Sequence, residues 1–83
     1  MLITSPKLLA LFVANHRKKL KLSQAEVGDR VGLKQQTISE FEINPEGTRV
    51  ETLFRILSAI NIDMNLLEKD SSNVGGSSAK EGW

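Results

Sequence analysis

The residues of this sequence with the most legible chemistry are side-chain amides. Lys34-Gln35-Gln36-Thr37-Ile38-Ser39 opens a stretch, residues 34–42, in which only Ile38 and Phe41 are plainly apolar. Three residues apart, they give a helix one narrow buried stripe. A face that only had to be wet would be served by Glu and Lys, which form helices as well as Gln does. A glutamine amide holds a donor and an acceptor together, and it can bind adenine N6 and N7 at once. Lys34 at the same end can bind guanine O6 and N7, or a phosphate. With Ile38 and Phe41 turned inward, the helical wheel puts Gln36, Ser39 and Glu40 outside and Gln35 at the tip. Lys34, Gln35, Gln36 and Ser39 are therefore the candidate base contacts.

Anchors for a nucleic-acid backbone should flank them. Ser23 and Gln24 stand where a preceding helix begins, beside backbone N–H groups free to meet a phosphate. Thr37 supplies a hydroxyl, and Arg49 and Arg17 supply guanidinium groups. These five are the candidate phosphate contacts. Nothing comparable supports catalysis or a cofactor. The chain has no cysteine and one histidine, so a thiolate zinc site and a disulfide framework are both unavailable. No glycine-rich phosphate loop is present, and the acids are scattered over separate faces rather than paired for proton transfer. His16, beside Arg17, Lys18 and Lys19, reads as a surface histidine.

The elements that must hold these residues are mostly helices. Ser5-Pro6 is a good helix opening, a cap followed by a proline at the first helical position. Leu8, Leu9, Phe12 and Val13 continue at helical spacing, and the cations from His16 to Lys21 suit a helix end. The spacing predicts a first helix ending near Lys21. Ser23 and Glu26 form a capping box for a second, with Leu22 and Val27 as its hydrophobic staple. Gly32 ends it where a left-handed residue is wanted. Gly28 sits mid-helix at a cost of ~1 kcal/mol against Ala, which implies close packing against another helix. The third helix runs from Lys34 or Gln35 to Glu42. Asn44-Pro45-Glu46-Gly47 is turn chemistry. Thr48 with Glu51 reads as a second capping box, opening a fourth helix whose stripe is Val50, Leu53, Phe54, Leu57 and Ile60.

Ile62, Met64 and Leu66 alternate with Asp63 and Asn65, the period of a strand. A lone strand in a helical domain exposes an unpaired edge. Pairing with the same strand of a second copy, across a two-fold axis, removes it. From Asp70 onward the chain is rich in Ser and Gly and nearly free of apolar residues, the composition of a disordered tail. Its last residue, Trp83, is the sole tryptophan and a candidate anchor for a partner's pocket. The expected layout is a DNA-binding domain over residues 1–69, with a dimerising strand at 62–68, and a tail over 70–83.

The net charge of +1 argues neither for nor against nucleic acid. Its distribution says more. Residues 1–62 hold nine Lys/Arg against six Asp/Glu, whereas residues 63–83 hold two against four. A mildly basic body with an acidic tail suits local placement of phosphate-binding groups. The run LLALFVA lacks the flanks of a signal peptide and falls short of the roughly 20 residues a membrane span needs. A cytoplasmic, nucleoid-associated protein is expected.

Helices two and three, joined through Gly32-Leu33, have helix-turn-helix proportions, and that motif presents its second helix to the major groove. The run from Leu22 to Ile62 resembles the Xre-type helix-turn-helix domain of lambdoid phage repressors. Ser23-Gln24, Gly32, Gln35-Gln36, Ile38 and Glu42 carry the likeness. The resemblance implies an all-α, lambda-repressor-like bundle of four or five helices, with the short C-terminal strand added. A closer likeness, to HipB-type antitoxins, rests on Lys34 through Ser39, Phe41-Glu42, Asn44-Pro45, Thr52-Leu53-Phe54, Ile56-Leu57, Met64 and Trp83. It implies a dimeric repressor of its own toxin–antitoxin operon, bound to inverted repeats, with a HipA-type kinase-fold toxin as partner. Two rivals remain at this stage. One is an autonomous phage-like repressor or controller protein. The other is a protein-interaction module, which leaves the amide-rich helix tip without a reason.

Overall fold

A computed structural model describes residues 2–69. Its four helices are α1 (Pro6–Lys19), α2 (Gln24–Val31), α3 (Gln35–Ile43) and α4 (Val50–Ala59), with a single 3-10 turn at Pro45–Gly47 between α3 and α4. The all-α bundle expected from the sequence is the observed architecture. No strand forms among the described residues.

Each helix starts or stops for a local reason. The Ser5 hydroxyl accepts a hydrogen bond from the Leu8 N–H at 3.1 Å and caps α1. The capping box of α2 is complete: the Glu26 N–H donates to Ser23 Oγ at 3.0 Å, and the Ser23 N–H donates to Glu26 Oε1 at 2.7 Å. Hydrogen bonding to the Glu26 carboxyl, from the Ser23 backbone N–H first and the Ser23 side chain second, holds it below its ordinary value of 4.5. Gly32 ends α2 at φ 72, the left-handed cap that only glycine adopts without strain. α1 stops slightly short of the expected end, at Lys19, because Lys21 turns to φ 62.

The core is one cluster. Ala10 and Val13 of α1, Val27 of α2, Ile38 and Phe41 of α3, and Ile56, Leu57, Ala59 and Ile60 around α4 are all buried. Leu9, Phe12, Leu22, Val31, Leu33, Leu53 and Ile62 pack against it. The stripe expected for α3, Ile38 with Phe41, is thus the face that docks. On α4, Leu57 and Ile60 are buried as expected, but Val50 and Phe54 are not, at 67% and 52% exposed.

Two local expectations change. Gly28 does permit a close approach, but the neighbour is the backbone of the turn rather than another helix. A Cβ there would lie well under 3.0 Å from the Leu33 carbonyl oxygen and 3.2 Å from its carbon. The Leu33 N–H donates to the Gly28 carbonyl at 2.9 Å, which folds the turn onto the helix. Thr48 does not cap α4. Its N–H closes the 3-10 turn on the Pro45 carbonyl at 3.0 Å, and Arg49 takes the cap position without a side-chain bond.

After α4 the chain turns at Asn61, φ 59. The Ile62 N–H returns to the Leu57 carbonyl at 2.9 Å, and Ile62 packs on the core. Residues 63–69 are exposed, with Leu66 at 84%, and they make no ladder among the described residues. A single chain contains only half of a cross-dimer ladder. The tail from Asp70 and its Trp83 lie outside the described residues.

Candidate nucleic-acid interface

The site is built by packing α2 and α3 around the Gly32-Leu33 turn. Lys34 precedes α3 in extended backbone geometry (φ −76, ψ 150), and no side chain caps the helix. The Thr37 N–H donates to the Lys34 carbonyl at 2.9 Å, which leaves the N–H groups of Gln35 and Gln36 for solvent or an anion. Lys34, Gln35 and Gln36 are exposed, whereas Thr37 and Ser39 are half-buried. Lys34, Gln35, Gln36 and Glu40 are exposed as the wheel read from the sequence expects, whereas Ser39, expected on the same side, is half-buried.

A groove of about 470 Å³ runs along this helix. Lys34, Gln36, Thr37 and Glu40 form its α3 wall, and Thr48, Arg49 and Thr52 face them from the start of α4. Lys34 and Arg49 are the cations of the groove, and the hydroxyls of Thr37, Thr48 and Thr52 add neutral donors. Cations and hydroxyls along one channel are groups of the kind that hold a sugar–phosphate strand, and side-chain amides are of the kind that read base edges. Arg49 and Thr37, expected as phosphate contacts, share this groove. Asn44, Thr48 and Thr52 complete it; none of them is a candidate contact by local pattern, because they reach the groove from a turn and another helix.

Of the other three expected anchors, Arg17 and Gln24 are drawn into a network. Arg17 of α1 forms a two-pronged pair with Glu42 of α3, Nε donating to Oε2 at 2.7 Å and Nη2 to Oε1 at 3.0 Å. Its Nη1 donates to the Leu22 carbonyl at 2.9 Å. The two side chains are only 11% and 8% exposed. The guanidinium is thus spent inside the protein, where it ties α1 to α3 and to the residue before α2. Glu42 Oε1 also accepts from Gln24 Nε2 at 3.0 Å, and Gln24 Oε1 accepts from Gln35 Nε2 at 2.6 Å. Ser23 is engaged in its capping box but stays exposed. The chain Arg17–Glu42–Gln24–Gln35 therefore runs from a nearly buried ion pair to an amide at the helix tip. No local pattern marks it, since its bonded partners stand 11 to 25 positions apart.

His16 is half-buried and stacks on Phe12, with ring centroids 6.0 Å apart and planes 11° from parallel. It serves packing on α1. Among the described residues no group of three His, Cys, Asp or Glu could hold a metal ion.

The family model described as "HTH_3: Helix-turn-helix" matches residues 13–67. The antitoxin HipB of Escherichia coli O6:H1 is 35% identical over 79 residues, which span 95% of this chain and 82% of the relative. The chain belongs to the HipB family of helix-turn-helix antitoxins. Solved structures agree. A HipB-O4 20mer complex superposes with a TM-score of 0.81 at 36% identity, covering 83% of this chain and 97% of that one. A HipA-HipB-O2-O3 complex gives the same TM-score, identity and coverage. The family read from Ser23-Gln24, Gly32 and the Gln35-Gln36 pair is borne out.

A second groove lies across the molecule's C-terminal side, where Phe54, Leu57, Ile62 and Met64 meet. Phe54 is 52% exposed and Met64 41%. Of the expected dimer strand, Ile62 is thus docked, while Met64 and Leu66 face solvent in the single chain. Among the described residues no helix is long and apolar enough to cross a membrane.

Proposed function

We propose that this chain is the antitoxin and repressor of a HipBA-type operon. It binds inverted-repeat operators as a homodimer, with one α3 in each of two successive major grooves about 34 Å apart. Gln36 and Gln35 read adenine edges, Lys34 reads guanine or a neighbouring phosphate, and Ser39 accepts or donates beside them. Arg49 and Thr37 hold the backbone along the groove, with Ser23 and Gln24 at the start of α2. The dimer forms through the exposed side of α4 and the segment 62–68, whose strands pair across the two-fold axis. Its unpaired edge and the half-exposed Phe54 and Met64 support that arrangement. A HipA-type kinase-fold toxin is the protein partner, and Trp83 at the end of the tail is its anchor. The protein works by binding, without catalysis, in the cytoplasm at the nucleoid. Its domain is residues 1–69, and the tail tethers the partner.

The observation that supports this reading most is the exposed amide tip of α3 beside a groove holding Lys34 and Arg49. The existence of HipB complexes with O4 and with HipA agrees with it. Fluorescence anisotropy against a set of base-substituted inverted-repeat duplexes tests it. Gln36→Ala should cost on the order of 1–3 kcal/mol at one base per half-site and spare the others. An unchanged base preference in Gln36→Ala removes that residue from base readout. Equal affinity for repeats and scrambled duplexes removes the function.

A further inference from the structure

The groove beside α3 contains a carboxylate that phosphate binding does not explain. Glu40 is exposed and lines the same groove as Lys34, Gln36 and Arg49. Glu42, two residues on, is neutralised by Arg17, and Glu26 closes a capping box. Among the described residues Glu40 has no ion-pair partner and no side-chain hydrogen bond of its own. A bare carboxylate facing a duplex is repelled by every phosphate, at every sequence, unless a donor meets it.

The geometry points to Glu40 as a specificity-determining residue that accepts a hydrogen bond from the exocyclic amine of a cytosine. This deepens the operator-binding reading above and rests on it. Two major-groove amines exist, cytosine N4 and adenine N6. Adenine places its N7 acceptor beside the amine, against which an acceptor-only carboxylate has nothing to offer. Cytosine N4 is therefore the matching group. Gln36 and Glu40 are four residues apart on α3, hence on one face and about 6 Å apart along the axis. That is close to two base-pair rises of about 3.4 Å. Each half-site should then carry a cytosine within about two base pairs of the base that Gln36 reads. At that position the carboxylate is an attractive contact for one base and a repulsive one for the rest, which sharpens choice at some expense of affinity.

The test is selection from a duplex library with randomised inverted-repeat half-sites, using the full chain and its Glu40→Gln and Glu40→Ala variants. The wild type should enrich cytosine at one position per half-site. Glu40→Gln should move the preference there to adenine, because an amide supplies the donor that adenine N7 needs. The switch in relative affinity should be on the order of tenfold. Glu40→Ala should leave that position unselected. The same bases enriched by all three proteins, with affinity raised uniformly in both variants, would show a merely repulsive charge and overturn the assignment. A wild type that enriches nothing would instead overturn the operator-binding reading, and this inference with it. Circular dichroism of both variants should match the wild type, since Glu40 is outside the core.

Discussion

Gly28→Ala sets two effects of opposite sign against each other. Gly28 lies inside α2, where replacing glycine by alanine ordinarily stabilises a helix by about 1 kcal/mol. Helix propensity alone therefore predicts a gain. The structure predicts a loss. The new Cβ would meet the Leu33 carbonyl oxygen well inside 3.0 Å, with the Leu33 carbon at 3.2 Å and the Lys34 carbon at 3.4 Å. All three are backbone atoms of the turn, so no side chain can swing aside. Relief requires the turn to lift from α2, which strains the Leu33 N–H bond to the Gly28 carbonyl. Overpacking of a tight site costs about 1–3 kcal/mol, and a backbone obstacle puts this one at the upper end. Setting about 3 against about 1 leaves a net loss near 2 kcal/mol. For a domain of this size that lowers Tm by about 8–16 °C. Gly47→Ala is the internal control. Its Cβ would meet nothing within 4 Å, and its backbone is not left-handed. It should raise stability by about 0.4–1 kcal/mol through the unfolded chain. Both melts are followed by circular dichroism at one protein concentration, since a dimer's Tm depends on it. A Gly28→Ala variant as stable as the wild type would refute the reasoning, because the turn would then not bear on the helix.

The ion pair between α1 and α3 gives a second expectation. Glu42→Gln leaves the Arg17 guanidinium at 11% exposure without its anion, so the cost should lie between that of surface and buried pairs, about 2–3 kcal/mol in urea unfolding. A loss below about 0.5 kcal/mol would make the pair an ordinary surface contact. Glu26 gives a pH dependence. Its carboxyl titrates lower in the folded chain than its ordinary value of 4.5, so its contribution is complete above that pH and fades as pH falls through the folded value. The stability gap between wild type and Glu26→Gln should therefore hold steady from pH 7 to about 5 and close below 4.5. A gap unchanged at pH 3 in urea midpoints would show that the capping box does not depend on the charge.

What the sequence made legible is what is decided within a few residues. A serine three places before a glutamate, a glycine where a left-handed turn is needed, and two apolar residues three apart each fix a local geometry. The helices, the docked stripe of α3 and its exposed amide tip follow from these. Thr48 shows where local pattern fails. It has the spacing of a capping box, yet its N–H closes the 3-10 turn on Pro45, and α4 starts one residue later. The turn, set by Asn44-Pro45, fixes the backbone before the threonine side chain can act. The strand expected at 62–68 shows no ladder among the described residues of one chain for another reason, since its partner would be the same segment of a second copy.

The two adjacent glutamines mark the limit most clearly. Sequence treats Gln35 and Gln36 as equals, and only tertiary structure separates them. Gln35 Nε2 donates to Gln24 Oε1, Gln24 is held by Glu42, and Glu42 is held by Arg17. The amide of Gln35 is thus oriented before any ligand arrives: its oxygen and its second N–H are presented in a fixed arrangement. A side chain so held has already lost the rotamer freedom that ordering on a duplex would otherwise cost, about 0.5–1.5 kcal/mol. Gln36 faces the open groove with no such tether among the described residues. The first is suited to a strict donor–acceptor match, the second to a base edge whose position can vary. The difference between the two amides traces back to an arginine on another helix, 18 residues before Gln35.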